Sequence, residues 1–214
     1  MCDKPVLSPA MAGSCVVGLD LSLTGTGVAA IAVDAATLST AIHASPPPAT
    51  NSLAAHAARH RLLADGIITQ VVSTDPVLAV IEGLQFSVKM RDSSLTRRGF
   101  LWWAVVEGLC DAGVPLMEVT PQQIKQFATG KGNASKSEMV AAYAKAWPDA
   151  PLGRNVEDRA DAALAAALGA AWVGVEGLPQ SETAVRKKLI AKLPVPTVPA
   201  RSLCSRGVRL DEIA

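Results

Sequence analysis

The stretch Val16-Val17-Gly18-Leu19-Asp20-Leu21 has the length and composition of a buried β-strand, yet it contains a carboxylate. Acidic side chains are rarely buried without a partner, because removing their charge from water costs free energy. A cation or a set of hydrogen-bond donors has to offset that cost. Asp20 is therefore the first candidate for a functional residue, and a bound cation is the first hypothesis for its partner.

Three further carboxylates favour the same hypothesis. Glu82 closes the apolar run Val77-Leu78-Ala79-Val80-Ile81, and Asp158 and Asp161 open an alanine-rich helical segment. Side chains three positions apart lie on one face of a helix, so the two aspartates can address one point in space. Ordinary explanations stay open, since acids favour the first turn of a helix and a glutamate at a strand end can emerge into solvent. Carboxylate oxygens from separate elements nevertheless suit Mg²⁺ or Mn²⁺ and metal-assisted cleavage of a phosphodiester.

The pattern of apolar residues predicts antiparallel strands first and alternating strands and helices afterwards. Strands are expected at residues 15–23, 28–34, 37–44, 76–81 and 116–119, with Thr24-Gly25-Thr26-Gly27 as a tight turn. Helices are expected from residue 51 to about 71, at 95–109, from Pro121, at 135–147 with a Ser135/Glu138 capping box, and at 157–173. This order predicts an α/β fold with a mixed β-sheet flanked by α-helices.

Length and composition indicate one main domain with shorter ends. The 214 residues suffice for a large apolar core, no apolar run reaches the ~18 residues of a membrane helix, and the N-terminus lacks a signal-peptide pattern. We therefore expect a soluble intracellular protein with no membrane partner. The four cysteines form no CxxC pair, which argues against a zinc knuckle or a disulfide scaffold. We divide the chain into an N-terminal extension (1–14), the main domain (15–174) and a basic, proline-containing C-terminal tail (175–214), partly ordered or disordered, that can hold a polyanion.

Five motifs in order resemble those of the RuvC family of Holliday junction resolvases. They are Val17-Gly18-Leu19-Asp20 with the following Thr/Gly turn, Ile81-Glu82, Pro121-Gln122-Gln123-Ile124-Lys125-Gln126, Thr129-Gly130-Lys131-Gly132-Asn133-Ala134-Ser135-Lys136, and Asp158-Arg159-Ala160-Asp161-Ala162-Ala163-Leu164-Ala165. The resemblance covers residues 15 to about 173. It implies an RNase H-like fold, a homodimer and paired Mg²⁺-dependent nicks in four-way DNA junctions, with Mn²⁺ as a substitute ion.

The resemblance also implies roles for individual residues. Asp20, Glu82, Asp158 and Asp161 match the four catalytic carboxylates that hold the divalent ions. For DNA binding, Lys125 and Lys136 match basic positions near the scissile phosphate or along DNA, and Phe86 matches an aromatic wedge displaced by one position. The Gly130-Lys131-Gly132-Asn133 turn can bring Lys131 close to DNA. The helix at 94–109 occupies the segment that the family uses for dimerisation. Solvated lysines, a plain connecting loop and complete burial of that helix within one subunit are the competing interpretations.

We therefore expect a structure-specific DNA endonuclease of the bacterial or phage-infected cytoplasm that resolves Holliday junctions or related branched DNA. One alternative is a non-catalytic junction-binding protein, against which the intact set of four carboxylates argues. Another is an actin-like phosphotransferase, because Gly18-Leu19-Asp20 with the Thr/Gly turn resembles the first phosphate loop of sugar kinases. The chain has no second glycine-rich phosphate segment and no room for two full kinase domains.

Overall fold

The structure is a computed structural model that describes residues 14–84 and 94–196, and five strands and six helices lie within them. The strands are β1 (Cys15–Asp20), β2 (Gly25–Ala32), β3 (Leu38–Ala44), β4 (Pro76–Glu82) and β5 (Leu116–Val119). The helices are α1 (Leu53–Ser73), α2 (Ser94–Asp111), α3 (Pro121–Thr129), α4 (Lys136–Ala146), α5 (Val156–Val173) and α6 (Ala184–Ile190). None of these helices has both the length and the apolar character needed to cross a membrane.

The strands form one mixed sheet in the order β3-β2-β1-β4-β5. Strands β1, β2 and β3 make an antiparallel meander, while β4 pairs in parallel with both β1 and β5. The α/β class and the mixed sheet predicted from the sequence are confirmed. Because Leu19 lies beside Ile81 in the parallel pair, the acids that follow them, Asp20 and Glu82, end their strands at the same edge of the sheet.

Alternation along β1 and β4 decides which face of the sheet these acids share. Val16 and Val80 belong to the core beneath α5, whereas Val17 and Ile81 belong to the core beneath α1 and α2. Successive side chains of a strand point to opposite faces. Asp20 is separated from Val16, and Glu82 from Val80, by an even number of positions. Both acids therefore lie on the face of the sheet that α5 covers.

Helix α5 lies against β1 and β2 at very short range. A Cβ atom on Gly18 would lie 2.1 Å from the carbonyl oxygen of Ala162 and 2.3 Å from the backbone nitrogen of Ala166. A Cβ atom on Gly27 would lie 2.1 Å from the carbonyl oxygen of Asp158. Glycine is therefore required where the helix crosses the two strands, and this close crossing brings the first turn of α5 over the end of β1.

The predicted turn at Thr24-Gly25-Thr26-Gly27 is wrong, because three of its residues lie in β2 and Gly27 pairs with Asp20. The chain reverses earlier. The hydroxyl of Thr26 donates to the carbonyl oxygen of Ser22 at 2.7 Å and accepts from the backbone N–H of Ser22 at 3.1 Å. These two bonds close the turn before β2 begins.

The predicted capping box at the start of α4 is confirmed. Ser135 accepts a hydrogen bond from the backbone N–H of Glu138, and Glu138 accepts one from the backbone N–H of Ser135. Thr120 and Gln123 form a second capping box at the start of α3. Paired caps of this kind hold a helix start in a defined position, and in α4 the first helical residue is Lys136.

The expected C-terminal tail packs against the main domain in its first part. Val175, Leu189 and Leu193 are buried in the core beneath α5, and α6 lies against α3. Arg186 of α6 donates from Nε to the carbonyl oxygen of Phe127 at 2.7 Å. The proposed division at residue 174 thus does not mark the end of the packed chain. Residues 1–13 and 197–214 lie outside the described residues, and the division of the chain stays a prediction there.

Candidate active site

Asp20 lies at the centre of the candidate site. Its pKa is raised from 3.8 to about 8, mainly by burial and then by the negative charges of Glu82, Asp161 and Asp158, in that order, while Lys136 lowers it. Charges act on one another in this way only at short range. The structure therefore brings the four sequence-predicted carboxylates together, from the ends of β1 and β4 and from the first turns of α5.

Glu82 shares the burial and the repulsion of its neighbours. Burial is the main cause that raises its pKa from 4.5 to about 7, Asp161 raises it too, and Lys125 and Arg98 lower it. The backbone carbonyl oxygen of Glu82 accepts a hydrogen bond from Nε1 of Trp102 at 2.9 Å. Helix α2 therefore holds the end of β4 in position.

The two aspartates of α5 differ in depth. Burial is the main cause that raises the pKa of Asp161 from 3.8 to about 6; Lys136 and Lys125 lower this pKa, and Asp158 and Glu157 raise it. Asp158 is half-buried, and burial raises its pKa as well. Their spacing of three residues puts both on one face of α5, as predicted from the helical periodicity, and Oδ2 of Asp158 lies beside Gly25 at the start of β2.

The donor set fits hard divalent cations. Within residues 14–84 and 94–196, none of the four carboxylates accepts a hydrogen bond or forms an ion pair. Burial therefore costs each of them free energy without a direct hydrogen-bond or ion-pair partner to offset it, and oxygen ligands are those that Mg²⁺ and Mn²⁺ prefer. In the described part of the chain, however, no three His, Cys, Asp or Glu side chains stand in a ready metal-binding arrangement. The four carboxylates thus lie in one site, but their side chains are not arranged as a complete set of metal ligands.

Two of the three predicted lysines face the carboxylates. Lys125 of α3 acts on Glu82 and Asp161, and Lys136 of α4 acts on the two aspartates of α5 and on Asp20. Lys131 instead forms an ion pair with Glu138 at 3.5 Å and has no such effect on the acids. Phe86, the fourth predicted DNA-binding residue, lies outside the described residues.

Lys136 has a partner that the sequence interpretation missed. Its Nζ donates to Oε2 of Glu157 at 2.5 Å, and this hydrogen bond is the main cause that raises the pKa of Lys136. Both side chains are exposed, at 74% and 49%. The pair therefore spans from the start of α4 to the start of α5 across the solvent side of the site.

Helix α2 contributes two further residues that the sequence interpretation missed, Arg98 and Trp102, which both approach Glu82. Because they are four residues apart, they lie on one face of α2, and this spacing is the sequence feature that could have indicated them. Elsewhere on α2, Phe100 and Trp103 stay 57% and 64% exposed. Complete burial of this helix within one subunit is therefore wrong.

Comparison with known proteins supports the fold. No protein-family model matches the sequence. Similar solved structures include Thermus thermophilus RuvC, at 23% sequence identity and a TM-score of 0.57, and T. thermophilus RuvC in complex with a Holliday junction substrate, at 24% and 0.57. Each comparison covers 71% of this chain and 92% of the other. The chain has a RuvC-like, RNase H-like α/β fold.

Proposed function

We propose that the protein is a structure-specific DNA endonuclease that resolves Holliday junctions or related branched DNA by divalent-metal-dependent hydrolysis. The observation that carries this proposal is the convergence of Asp20, Glu82, Asp158 and Asp161 from three separate elements of a RuvC-like fold. The similar T. thermophilus RuvC has been solved with a Holliday junction substrate, which favours branched DNA as the substrate class here. The proposed location is the cytoplasm of a bacterial or phage-infected cell.

The four carboxylates are the proposed metal ligands. The chemistry that bound Mg²⁺ or Mn²⁺ supplies in such sites is activation of water and neutralisation of the phosphate. Asp20 and Glu82 are held rigidly by the sheet, and the first turns of α5 hold the other two. All four carboxylates favour their ionised form once positive charge is present, because the burial and repulsion that raise their pKa values are then offset.

The basic residues around the carboxylates have a complementary proposed role. Lys125 and Lys136 lie close enough to lower the pKa values of the acids, so each can also attract a phosphate that enters the site. Lys131 is proposed to bind DNA farther from the reacting phosphate, since it does not act on the carboxylates. Phe86 remains the proposed aromatic wedge on sequence grounds alone.

One gel experiment tests the proposed activity. Labelled four-way junction, forked DNA and linear duplex are each incubated with EDTA, Mg²⁺ or Mn²⁺. We expect junction cleavage only with metal, no product from Asp20→Asn or Asp161→Asn, and retained junction binding by both variants. Asp34→Asn removes an exposed carboxylate beyond β2 and should cleave like the unmodified protein. Junction binding without any metal-dependent product would favour the non-catalytic alternative, and nicking by Asp20→Asn at the unmodified rate would refute the proposal.

We also propose a homodimer formed through α2. The exposed Phe100 and Trp103 lie three residues apart on one face of that helix, where large aromatic side chains are typical of interfaces. Sedimentation equilibrium should show a dimer for the unmodified protein and a monomer for Trp103→Glu. Val185→Glu, which changes an exposed apolar residue of α6, is the control and should leave the dimer intact. A monomeric unmodified protein would contradict this assembly.

The basic end of the chain is proposed to add DNA affinity. A deletion that starts before α6 would remove Leu189 and Leu193 from the core, so the deletion that tests the proposal starts after Pro196. Loss of residues 197–214 should weaken junction binding more than it slows cleavage at saturating protein. Replacement of Arg201, Arg206 and Arg209 by glutamine should reproduce the loss. Unchanged affinity at several salt concentrations would contradict the role.

A further inference from the structure

A groove of about 660 Å³ adjoins the carboxylate site on the side of β2 and β3. Its inner end reaches Asp158, and its walls include Thr24, Ser45 and Arg154. A Cβ atom on Gly25 would lie 2.7 Å from Nδ2 of Asn155 and 3.0 Å from Oδ2 of Asp158. The amide of Asn155 and the carboxylate of Asp158 therefore stand side by side at the start of β2, and the groove is continuous with the candidate active site.

Arg59 holds the two walls of the groove together. This α1 residue donates from Nη2 to the carbonyl oxygen of Leu23, which precedes β2, and from the same nitrogen to the carbonyl oxygen of Ser45 at 2.6 Å. Its Nε also donates to Oγ of Ser45 at 3.0 Å. One guanidinium thus ties the loop after β1 to the segment after β3. These hydrogen bonds hold the two walls of the groove in a fixed position relative to each other.

The charges of the groove suit an anion. Arg154 is exposed and, within the described chain, has neither an ion pair nor a hydrogen bond. Arg159 donates from Nη1 to the carbonyl oxygen of Thr40 at 3.1 Å and to its Oγ1 at 2.8 Å, which fixes a second guanidinium in the lining. Asp158 is the single acid among the described lining residues, and it lies where the groove meets the carboxylates. The side-chain amide of Asn155 makes no capping bond to α5 and is free to donate.

We propose that this groove binds the DNA strand on one side of the scissile phosphate, with Arg154 contacting a backbone phosphate. This inference rests on the proposed function and adds to it a substrate subsite. A strand bound at the carboxylates can continue into the groove, because Asp158 belongs both to the candidate active site and to the groove lining. Thr24 and Ser45 offer hydroxyl groups along the wall, and Arg59 is a positioning residue that acts by keeping this wall in place.

The test compares Arg154→Gln with Arg61→Gln, which removes an equal charge from an exposed position on α1 outside the groove. Binding of labelled junction, fork and duplex is measured in EDTA at several salt concentrations. We expect Arg154→Gln to lose about 3- to 10-fold in affinity, as for one hydrogen bond to a charged group at a surface. The slope of log K against log salt should become less negative by about 0.9, as for one phosphate contact. Arg61→Gln should change neither quantity.

A chemical double-mutant cycle then locates the contact. Single neutral methylphosphonates replace successive phosphates on both sides of the cleaved bond. At one phosphate position, on one side of the cleaved bond only, the neutral linkage should weaken DNA binding by the unmodified protein. The same linkage should cause no further loss of affinity in Arg154→Gln. Additive losses at every position would overturn the assignment of Arg154.

The outcomes separate this inference from the proposed function. If the unmodified protein cleaves junctions but Arg154→Gln binds like Arg61→Gln, the subsite is wrong and the nuclease stands. If Arg154→Gln shows the expected loss while no metal-dependent product forms, the groove still binds a backbone phosphate of DNA and the hydrolytic function is wrong. A protein that binds none of the three DNAs at low salt would overturn both.

Discussion

Replacing Asp20 with asparagine should stabilise the metal-free protein, although Asp20 is the proposed centre of its activity. Burial and three neighbouring acids raise the pKa of Asp20 from 3.8 to about 8. Between these values the folded protein keeps a proton that the unfolded chain has lost. The free energy of unfolding therefore falls as the pH rises from about 4 to about 8. Asparagine has the same shape and no charge, so Asp20→Asn does not undergo this decrease in the free energy of unfolding.

The magnitude follows from the pKa difference. At about 1.36 kcal/mol per pH unit, a change from 3.8 to about 8 corresponds to a ceiling of about 6 kcal/mol above pH 8 and about 4 kcal/mol at pH 7. The four acids share their protons, and removal of one relieves the others, so the net effect is smaller than a single-site sum. We expect Asp20→Asn to gain about 2–4 kcal/mol at pH 8 and about 1 kcal/mol at pH 5.

Urea unfolding in EDTA at pH 5 and pH 8 measures both values. Asp34→Asn, the exposed control, should match the unmodified protein at each pH. Millimolar Mg²⁺ should stabilise the unmodified protein at pH 8 and have little effect on Asp20→Asn, because binding to the folded state alone raises the free energy of unfolding. The reasoning is refuted if Asp20→Asn gains no stability in EDTA at pH 8, or gains equally at both pH values.

Three further variants test how the site is built. Gly18→Ala should lower the free energy of unfolding by about 3 kcal/mol in urea titrations, because its Cβ would meet the backbone of α5, whereas Gly153→Ala, with open space around it, should be nearly neutral. Glu157→Gln should tighten junction binding in EDTA about 2- to 5-fold, because the lysine it pairs with becomes free for phosphate; unchanged or weaker binding would contradict this. Trp102→Phe should slow metal-dependent cleavage about 3- to 10-fold with unchanged junction affinity, because the carbonyl of Glu82 loses its donor. An unaltered cleavage rate would show that this bond does not position the acid.

Local patterns were sufficient for most of the elements. Strand β5 lies at the predicted residues 116–119, and the box of Ser135 and Glu138 starts α4 as predicted. Both signals act within a few residues, through apolar composition in one case and paired side-chain hydrogen bonds in the other. Such interactions form in the same way whatever lies elsewhere in the fold, so they can be recognised without it.

Distant contacts decide the local conformation in two places where composition alone was a poor guide. The Thr/Gly segment at residues 24–27 has turn composition, but Gly25 and Gly27 are needed because α5 and the side chains at its start lie directly against β2. The segment from residue 175 has the composition of a tail, but Leu189 and Leu193, four residues apart, bury themselves against the core. In both places tertiary packing, rather than local amino-acid composition, determines the conformation of the chain.

The sequence by itself determined the elements and the anomaly of a carboxylate in an apolar strand, because strand alternation and the desolvation of charge are local properties. Only the tertiary structure decided that Asp20 and Glu82 share a face with the first turns of α5. That arrangement depends on a parallel pairing of β1 with β4 and on a helix crossing at Gly18, between segments far apart in sequence. The ion pair of Lys136 with Glu157 and the groove stabilised by Arg59 depend on the same tertiary packing, which no local sequence pattern indicates.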